Sequence, residues 1–303
     1  MRHRNNTLAR EPRGLTGVLC MVGLLVAGGC DAGDVSPAST RTADSDEIVE
    51  NLVAAGYERD EIRVDARGRV IYQGDIVMTL EASRSLSGAG FRQYVTTNLV
   101  SEENSNISVF ISPVLDEQFP AFRNNVGYAV TAWDSVDSRL HFTLVEKDGD
   151  LPDEPRILIG LASGLCANVW AESTFPGSDG QPGEEIEINP NLPAKAARLQ
   201  QGVMMHEIGH AVGLRHTDFK NRASCGTNRE NGGAYGDPEG EAEGARHIPG
   251  TSEFPSGDVD PDFSPDRDSV MNACMGESSA KNTFSTDDKA AILHESVYKP
   301  TDG

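Results

Sequence analysis

The chain has 303 residues, 47 of them acidic and 26 basic, for a net charge of −21 at pH 7. That length suits one large domain with appendages rather than two independent enzymes. So acidic a surface argues against nucleic-acid binding, which relies on Lys and Arg against phosphate.

Arg2, Arg4, Arg10 and Arg13 form a basic start, and Leu15 to Ala27 is an apolar run too short to span a bilayer comfortably. Residues 1–29 therefore read as an export signal. The run ends in Val26-Ala27-Gly28-Gly29-Cys30, which resembles a bacterial lipoprotein box with Cys30 as the acylated residue, although Ala27 stands where that box usually has Leu. The expected product is a cell-envelope lipoprotein, touching membrane only through a lipid at Cys30, or else a secreted protein. An uncleaved membrane anchor is the plainer alternative. Loss of residues 1–29 removes four arginines and one glutamate, leaving 46 acidic and 22 basic side chains, a net of −24.

Residues 30–45 are small, polar and aperiodic, as in a flexible tether. A first small unit follows over 46–82. Ile48, Leu52 and Val53 suggest a short helix ending at Gly56, and Arg69 to Leu80 a strand or hairpin carrying Val70, Tyr72, Ile76 and Met78. Residues 83–105, dominated by Ser, Gly, Asn and Glu, read as an exposed connection. The main domain then spans 106–303. Its alternating strands are Ile107 to Ile111, Leu140 to Leu144 and Ile157 to Leu161. Pro120 to Val136 reads as a helix with Phe122, Val126, Val130 and Trp133 on one buried face. Glu185 to Asn189 reads as a short strand directly before the next helix. A helix from about Ala194 to Leu214 follows, and a last one from Thr286 to Tyr298, capped by Ser285 or Thr286.

The long helix carries His206-Glu207-Ile208-Gly209-His210-Ala211-Val212-Gly213-Leu214-Arg215-His216. Residues four apart lie on one helix face, about 6 Å apart along the axis, so His206 and His210 can share a metal ion. Glu207 is placed to reach a water on that ion. Gly213 lets the chain leave the helix through positive φ and bring His216 back as a third ligand. Three protein ligands and one open position are the pattern of a catalytic zinc, whereas four close a structural one. A bare His-Glu-x-x-His arises by chance in roughly one chain of this size in a hundred, and the added Gly and third His lower that to about one in a hundred thousand.

The extended signature resembles that of the metzincin zinc metallopeptidases. HEIGHAVGLRHTD over 206–218, Arg246-His247-Ile248-Pro249-Gly250-Thr251, Asp268-Ser269-Val270-Met271-Asn272 and the closing Phe284-Ser285…Asp288…Ala291-Ile292 are most similar to the bacterial dual-action HEIGH metallopeptidases, over about 46–298. The resemblance implies an α+β zincin-like domain with a mixed twisted sheet, an active-site helix and a methionine turn, preceded by a small pro-region at 46–82, and it makes the strand Glu185 to Asn189 the sheet edge on which an extended peptide pairs. It implies one catalytic Zn²⁺ on His206, His210 and His216, with Glu207 as general base for peptide-bond hydrolysis. Met271 is then the methionine under the ligands, with Met275 a weaker candidate. Some metzincins carry a Tyr two residues after that methionine; here Ala273 stands there, which leaves Glu207 as base and then acid unaided.

Tyr72-Gln73-Gly74-Asp75 resembles the Phe-x-Gly-Asp sequence of astacin propeptides, in which an aspartate fills the open zinc position and keeps the zymogen silent. Asp75 is the candidate switch, against an ordinary β-turn aspartate. Maturation would cut in 83–105, after Arg84 or Arg92. With Cys20 and Cys30 assigned elsewhere, Cys166, Cys225 and Cys274 allow three single pairings. Cys225–Cys274 is favoured because it would close the acidic loop between His216 and Met271. No Cys-x-x-Cys exists, so no structural zinc cluster is expected. Asp258, Asp260 and Asp262 are a candidate Ca²⁺ site, or simply a solvated acidic loop. Asp218 is a candidate partner for a ligand imidazole, and His247 an orderer of its loop. The expected protein is a monomeric zinc endopeptidase made as a zymogen. The alternative is a non-catalytic surface lipoprotein using a zincin scaffold to bind.

Overall fold

The structure is a computed structural model, and it describes residues 42–54, 59, 62–72, 74–84, 94–147, 150–165, 169–218, 223–225, 246–249, 251 and 266–300. Cys30, Cys166, Arg92 and the acidic run 258–262 lie outside the described residues. In chain order the elements are α1 (Ala43–Ala54), β1 (Ile62–Val64), β2 (Val70–Tyr72), β3 (Ile76–Met78), α2 (Leu80–Arg84), β4 (Tyr94–Val95), β5 (Asn106–Ile111), α3 (Pro113–Gln118) and α4 (Phe122–Asp134). They continue with β6 (His141–Leu144), β7 (Arg156–Leu161), β8 (Ala171–Thr174), β9 (Glu185–Ile188), α5 (Ala197–Ala211), β10 (Arg246–His247) and α6 (Thr286–Ile292).

One mixed sheet of eight strands organises the molecule, in the order β1-β2-β3-β8-β9-β7-β5-β6. β6, β5, β7 and β9 run parallel, and β8 is antiparallel to β9. Ile107, Val109 and Ile111 of β5 and Ile157 and Ile159 of β7 point into the main core. There they meet the buried stripe of α4, whose Trp133 Nε1 donates to the Met205 carbonyl of α5 at 3.0 Å. Packed against the sheet and α4, α5 is buried along nearly all of its length from Leu199 onward.

The first unit builds onto the same sheet. β1, β2 and β3 form an antiparallel meander, and β3 lies parallel to β8 along its outer edge. One face of the meander packs on α1 through Ile48, Val49, Leu52, Val70, Tyr72, Ile76 and Met78, a second small core that also takes in Phe175 of the main domain.

Four expectations are corrected. β9 is not an edge strand: it is hydrogen-bonded on both sides, and the border of the main domain's sheet is β8, whose Ala-Glu-Ser-Thr sequence shows no apolar alternation. The segment read as an exposed connection is built in from residue 94 onward. Val95 and Val100 are buried, the Thr96 amide donates to the Gly213 carbonyl at 2.8 Å, and β4 pairs with β10. α5 begins at Ala197 rather than 194, because Leu192–Ala194 is a tight 3₁₀ turn and Lys195 is extended. α6 stops at Ile292, and turns after it carry Val297 and Tyr298 into the main core.

Candidate metal centre

α5 sets the site by its period. His206 and His210 lie one turn apart at its end, and the helix stops at Ala211 because Gly213 takes φ 95°. A side chain at Gly213 would meet Thr96 Oγ1 at 2.8 Å and the Asn98 carbonyl at 3.0 Å, so glycine is required by space as well as by φ. The chain reverses there and returns His216. The Nε2 atoms of His210 and His216 are 3.2 Å apart, as are those of His216 and His206, and all three residues are buried.

The tautomers decide what these nitrogens want. A carbonyl oxygen can only accept, so His206 Nδ1–H donates to Val270 O and His210 Nδ1–H to Leu214 O, both at 2.8 Å. In neutral rings the Nε2 atoms of both residues are then bare lone pairs, aimed at one another. Burial, followed by the neighbouring His206 and His216, pushes the His210 pKa well below its ordinary 6.5, so the ring is held neutral. Converging lone pairs in a buried pocket repel unless a cation sits among them. Nitrogens bound at 2.0–2.1 Å to one tetrahedral ion lie about 3.3 Å apart, which matches the observed spacing.

A fourth donor completes the cluster. Asp75 Oδ2 lies 3.3 Å from His216 Nε2 and 3.7 Å from His206 Nε2. Gly74 (φ 93°) turns the chain just before it, and the Asp75 carbonyl accepts from the Ser173 amide of β8 at 2.8 Å. Burial raises the Asp75 pKa, but the facing His216, His206 and His210 rings, in their protonated form, outweigh it and hold the carboxyl well below 3.8. The four side chains offer ligand atoms all within 4.8 Å of one another. Glu207 is buried beside them, and its Oε2 has no hydrogen-bond partner among the described residues. Burial first, then Asp75 and Glu172, push its pKa well above 4.5.

Support comes from behind. Met271 is buried against α5 so tightly that a Cβ on Gly209 would lie 2.5 Å from its Sδ. The Met271 carbonyl accepts from the Thr217 amide at 2.8 Å, next to His216. Met275 lies away from the ligands, against Gly202. Asp288 of α6 accepts from Ser269 Oγ at 2.6 Å and from the Val270 and Ser285 amides at 3.0 Å, and Val270 in turn orients His206. Asp218 holds no ligand imidazole: its carboxylate accepts from the Ser224 and Ala273 amides at 2.7 and 2.8 Å, tying together the loops that Cys225 and Cys274 join by a disulfide.

The sequence did not reveal a cluster beside the site. Arg63 and Arg69 hold Glu172 at 2.7 and 3.1 Å, and Arg67 and Arg69 hold Glu187. Its only sequence signal is three arginines within seven residues of a strongly acidic chain.

The family model described as dual-action HEIGH metallo-peptidase matches residues 70–295. The chain belongs to that family. It is accordingly a metallopeptidase, a hydrolase of proteins or peptides, with the α+β, mixed-sheet fold expected of a metzincin-like enzyme. The family match includes β2, β3 and Asp75 as well as the three histidines. Two solved structures of myroilysin are similar to this dual-action HEIGH metallopeptidase. One has 18% identity and TM-score 0.39, covering 69% of this chain and 99% of that one. The other has 15% identity and TM-score 0.36, covering 63% and 82%. No curated protein matches the sequence.

Proposed function

We propose that this metallopeptidase is an exported zinc endopeptidase made in a latent form, with Asp75 as the internal blocking group. The observation that carries the reading is the convergence of three imidazole Nε2 atoms, two spacings being 3.2 Å, with the Asp75 carboxylate at the position left open. His206, His210 and His216 would hold the ion, a nitrogen set that suits zinc. When bound, zinc supplies a Lewis acid that polarises a carbonyl and makes water acidic near neutral pH.

The protein's own groups do the rest. Asp75 excludes water and substrate from the open position while residues 70–78 stay docked. Its departure removes one of the two carboxylates that raise the Glu207 pKa, and opens the pocket to solvent. Glu207 can then accept a proton at its carboxylate from the attacking water and return it to the leaving amine nitrogen. Met271 packs beneath the ligand helix as the methionine-turn residue. Before maturation the pro-region would span 46–82, and the cut would fall in the segment 83–105, after Arg84 or Arg92, both ahead of β4. Acylation at Cys30 would tether the product to the cell envelope, and it would act as a monomer. A pure binding module has no use for a buried carboxylate beside the metal, so Glu207 speaks against that alternative.

Glu207→Gln in the full, matured chain should keep stoichiometric zinc and lower casein hydrolysis by about 10²–10⁴-fold or more, while His210→Ala should lose both. A Gln variant hydrolysing at the wild-type rate would end this reading.

A further inference from the structure

We propose that Glu172 and Glu187 form a substrate subsite for a basic side chain, arginine or lysine, close to the bond that is cleaved. This rests on the peptidase reading above. The antiparallel register of β8 and β9 sets Glu172 directly opposite Glu187, on the sheet face away from Ile186 and Ile188, which enter the core. Like charges directly opposed across strands destabilise each other. Here both side chains are almost completely buried, at 0% and 7% exposure. Two acidic residues would not by themselves make a site. What makes it one is that guanidinium groups already occupy it.

Arg67 Nη1 donates to Glu187 Oε1 at 2.8 Å and its Nη2 to Oε2, a two-pronged grip on one carboxylate. Arg63 and Arg69 take one oxygen each of Glu172, and Arg69 reaches Glu187 as well. All three arginines precede residue 85. Among the described residues, no cation beyond that point pairs with either glutamate. Among the described residues, the ion-pair partners of this buried pair of opposed carboxylates are Arg63, Arg67 and Arg69, all on the segment that would leave on maturation.

That segment lies where substrate must lie. β3 covers the outer edge of β8, and Asp75, just before β3, sits at the three histidines while its carbonyl accepts from the Ser173 amide. Ser173 is thus level with the metal centre, and Glu172 is its immediate neighbour. Once β3 is gone, β8 offers unpaired backbone groups to an extended peptide. A peptide pairing there passes the two glutamates next to its reacting carbonyl. A cation on that peptide replaces the lost arginines, whereas a neutral side chain leaves the carboxylates facing each other. The net acidic surface draws cationic peptides toward the groove as well.

The test uses the full chain after limited proteolysis at Arg84 or Arg92, loaded with zinc. Its substrates are pairs of fluorogenic peptides that differ only in arginine against citrulline, which has the same shape without the charge, at each position flanking the bond. At one position arginine should raise kcat/KM by at least about ten-fold, and Glu187→Gln should collapse that ratio toward one. Glu172→Gln serves as the second variant should Glu187→Gln fail to fold, and a ratio that survives both substitutions overturns the subsite. Equal cleavage of every pair overturns the subsite alone. No cleavage of any peptide overturns the peptidase reading, and the subsite with it.

Discussion

At the residue scale, Asp75 has two jobs in one dipeptide. Its backbone carbonyl joins the edge of β8, and its side chain closes the histidine cluster. Gly74, at φ 93°, makes the two compatible, since an L side chain there would be strained. Asp75→Ala keeps the backbone bond and deletes the carboxylate. The intact, uncut chain should then hydrolyse peptide measurably, by at least about ten-fold above wild type. An uncut variant as silent as wild type would assign latency to steric cover rather than to Asp75. His206, Glu207 and His210 were legible because helical spacing fixes their direction, and His216 because Gly213 marks where the chain turns back. Glu172 was not, because its partner Arg63 lies 109 residues away in sequence and no local pattern announces the pairing.

At the element scale, α6 acts on the site through a short relay. Ser285 and Asp288 form a capping box at its start, and the same Asp288 carboxylate holds Ser269 and Val270, whose carbonyl orients His206. Burial raises the Asp288 pKa from 3.8 to about 6, against the hydrogen bonds from Ser269, Val270 and Ser285. The fold therefore favours the protonated form. That stabilisation is complete below about pH 4 and is lost as pH rises through about 6, up to about 3 kcal/mol in all. Asp288→Asn cannot ionise and lacks this slope. The unfolding free energy of wild type relative to the variant should fall by up to about that amount between pH 4 and 7, other titrations cancelling in the difference. A difference constant over that range would contradict the assignment.

The elements themselves were unevenly legible. β5 and β7 showed as apolar alternation, and α4 as a stripe at helical spacing. β8 escaped because Ala171 to Thr174 is short and its position depends on pairing with β9 and β3 rather than on its own composition. α3 escaped for a different reason. Six residues capped by the Ser112 side chain carry too little periodicity to stand out.

At the scale of the whole molecule, the first unit is at once a separate small core and three extra strands of the main sheet. Each fully buried aliphatic or aromatic side chain in that core contributes roughly 1.5–3 kcal/mol before entropy is counted, so apolar packing on α1 accounts for the unit holding together. The arginine–glutamate pairs stand differently. Buried ion pairs roughly break even against desolvation, so their effect is to fix where the meander sits on β8. That register brings Asp75 to the histidines. The order β1-β2-β3-β8 was invisible in the sequence, since the connection from β3 to β8 runs from residue 79 to 170 and includes β5, β6 and β7.

One ion would be held by three imidazoles and, in the uncut chain, by the Asp75 carboxylate. X-ray absorption at the zinc edge on the intact protein tests it most directly. The fit should give three nitrogen donors and one oxygen at about 2.0–2.1 Å, with the oxygen donor changing from carboxylate to water in Asp75→Ala. A spectrum with fewer than three imidazoles, or one unaltered by loss of Asp75, would contradict it.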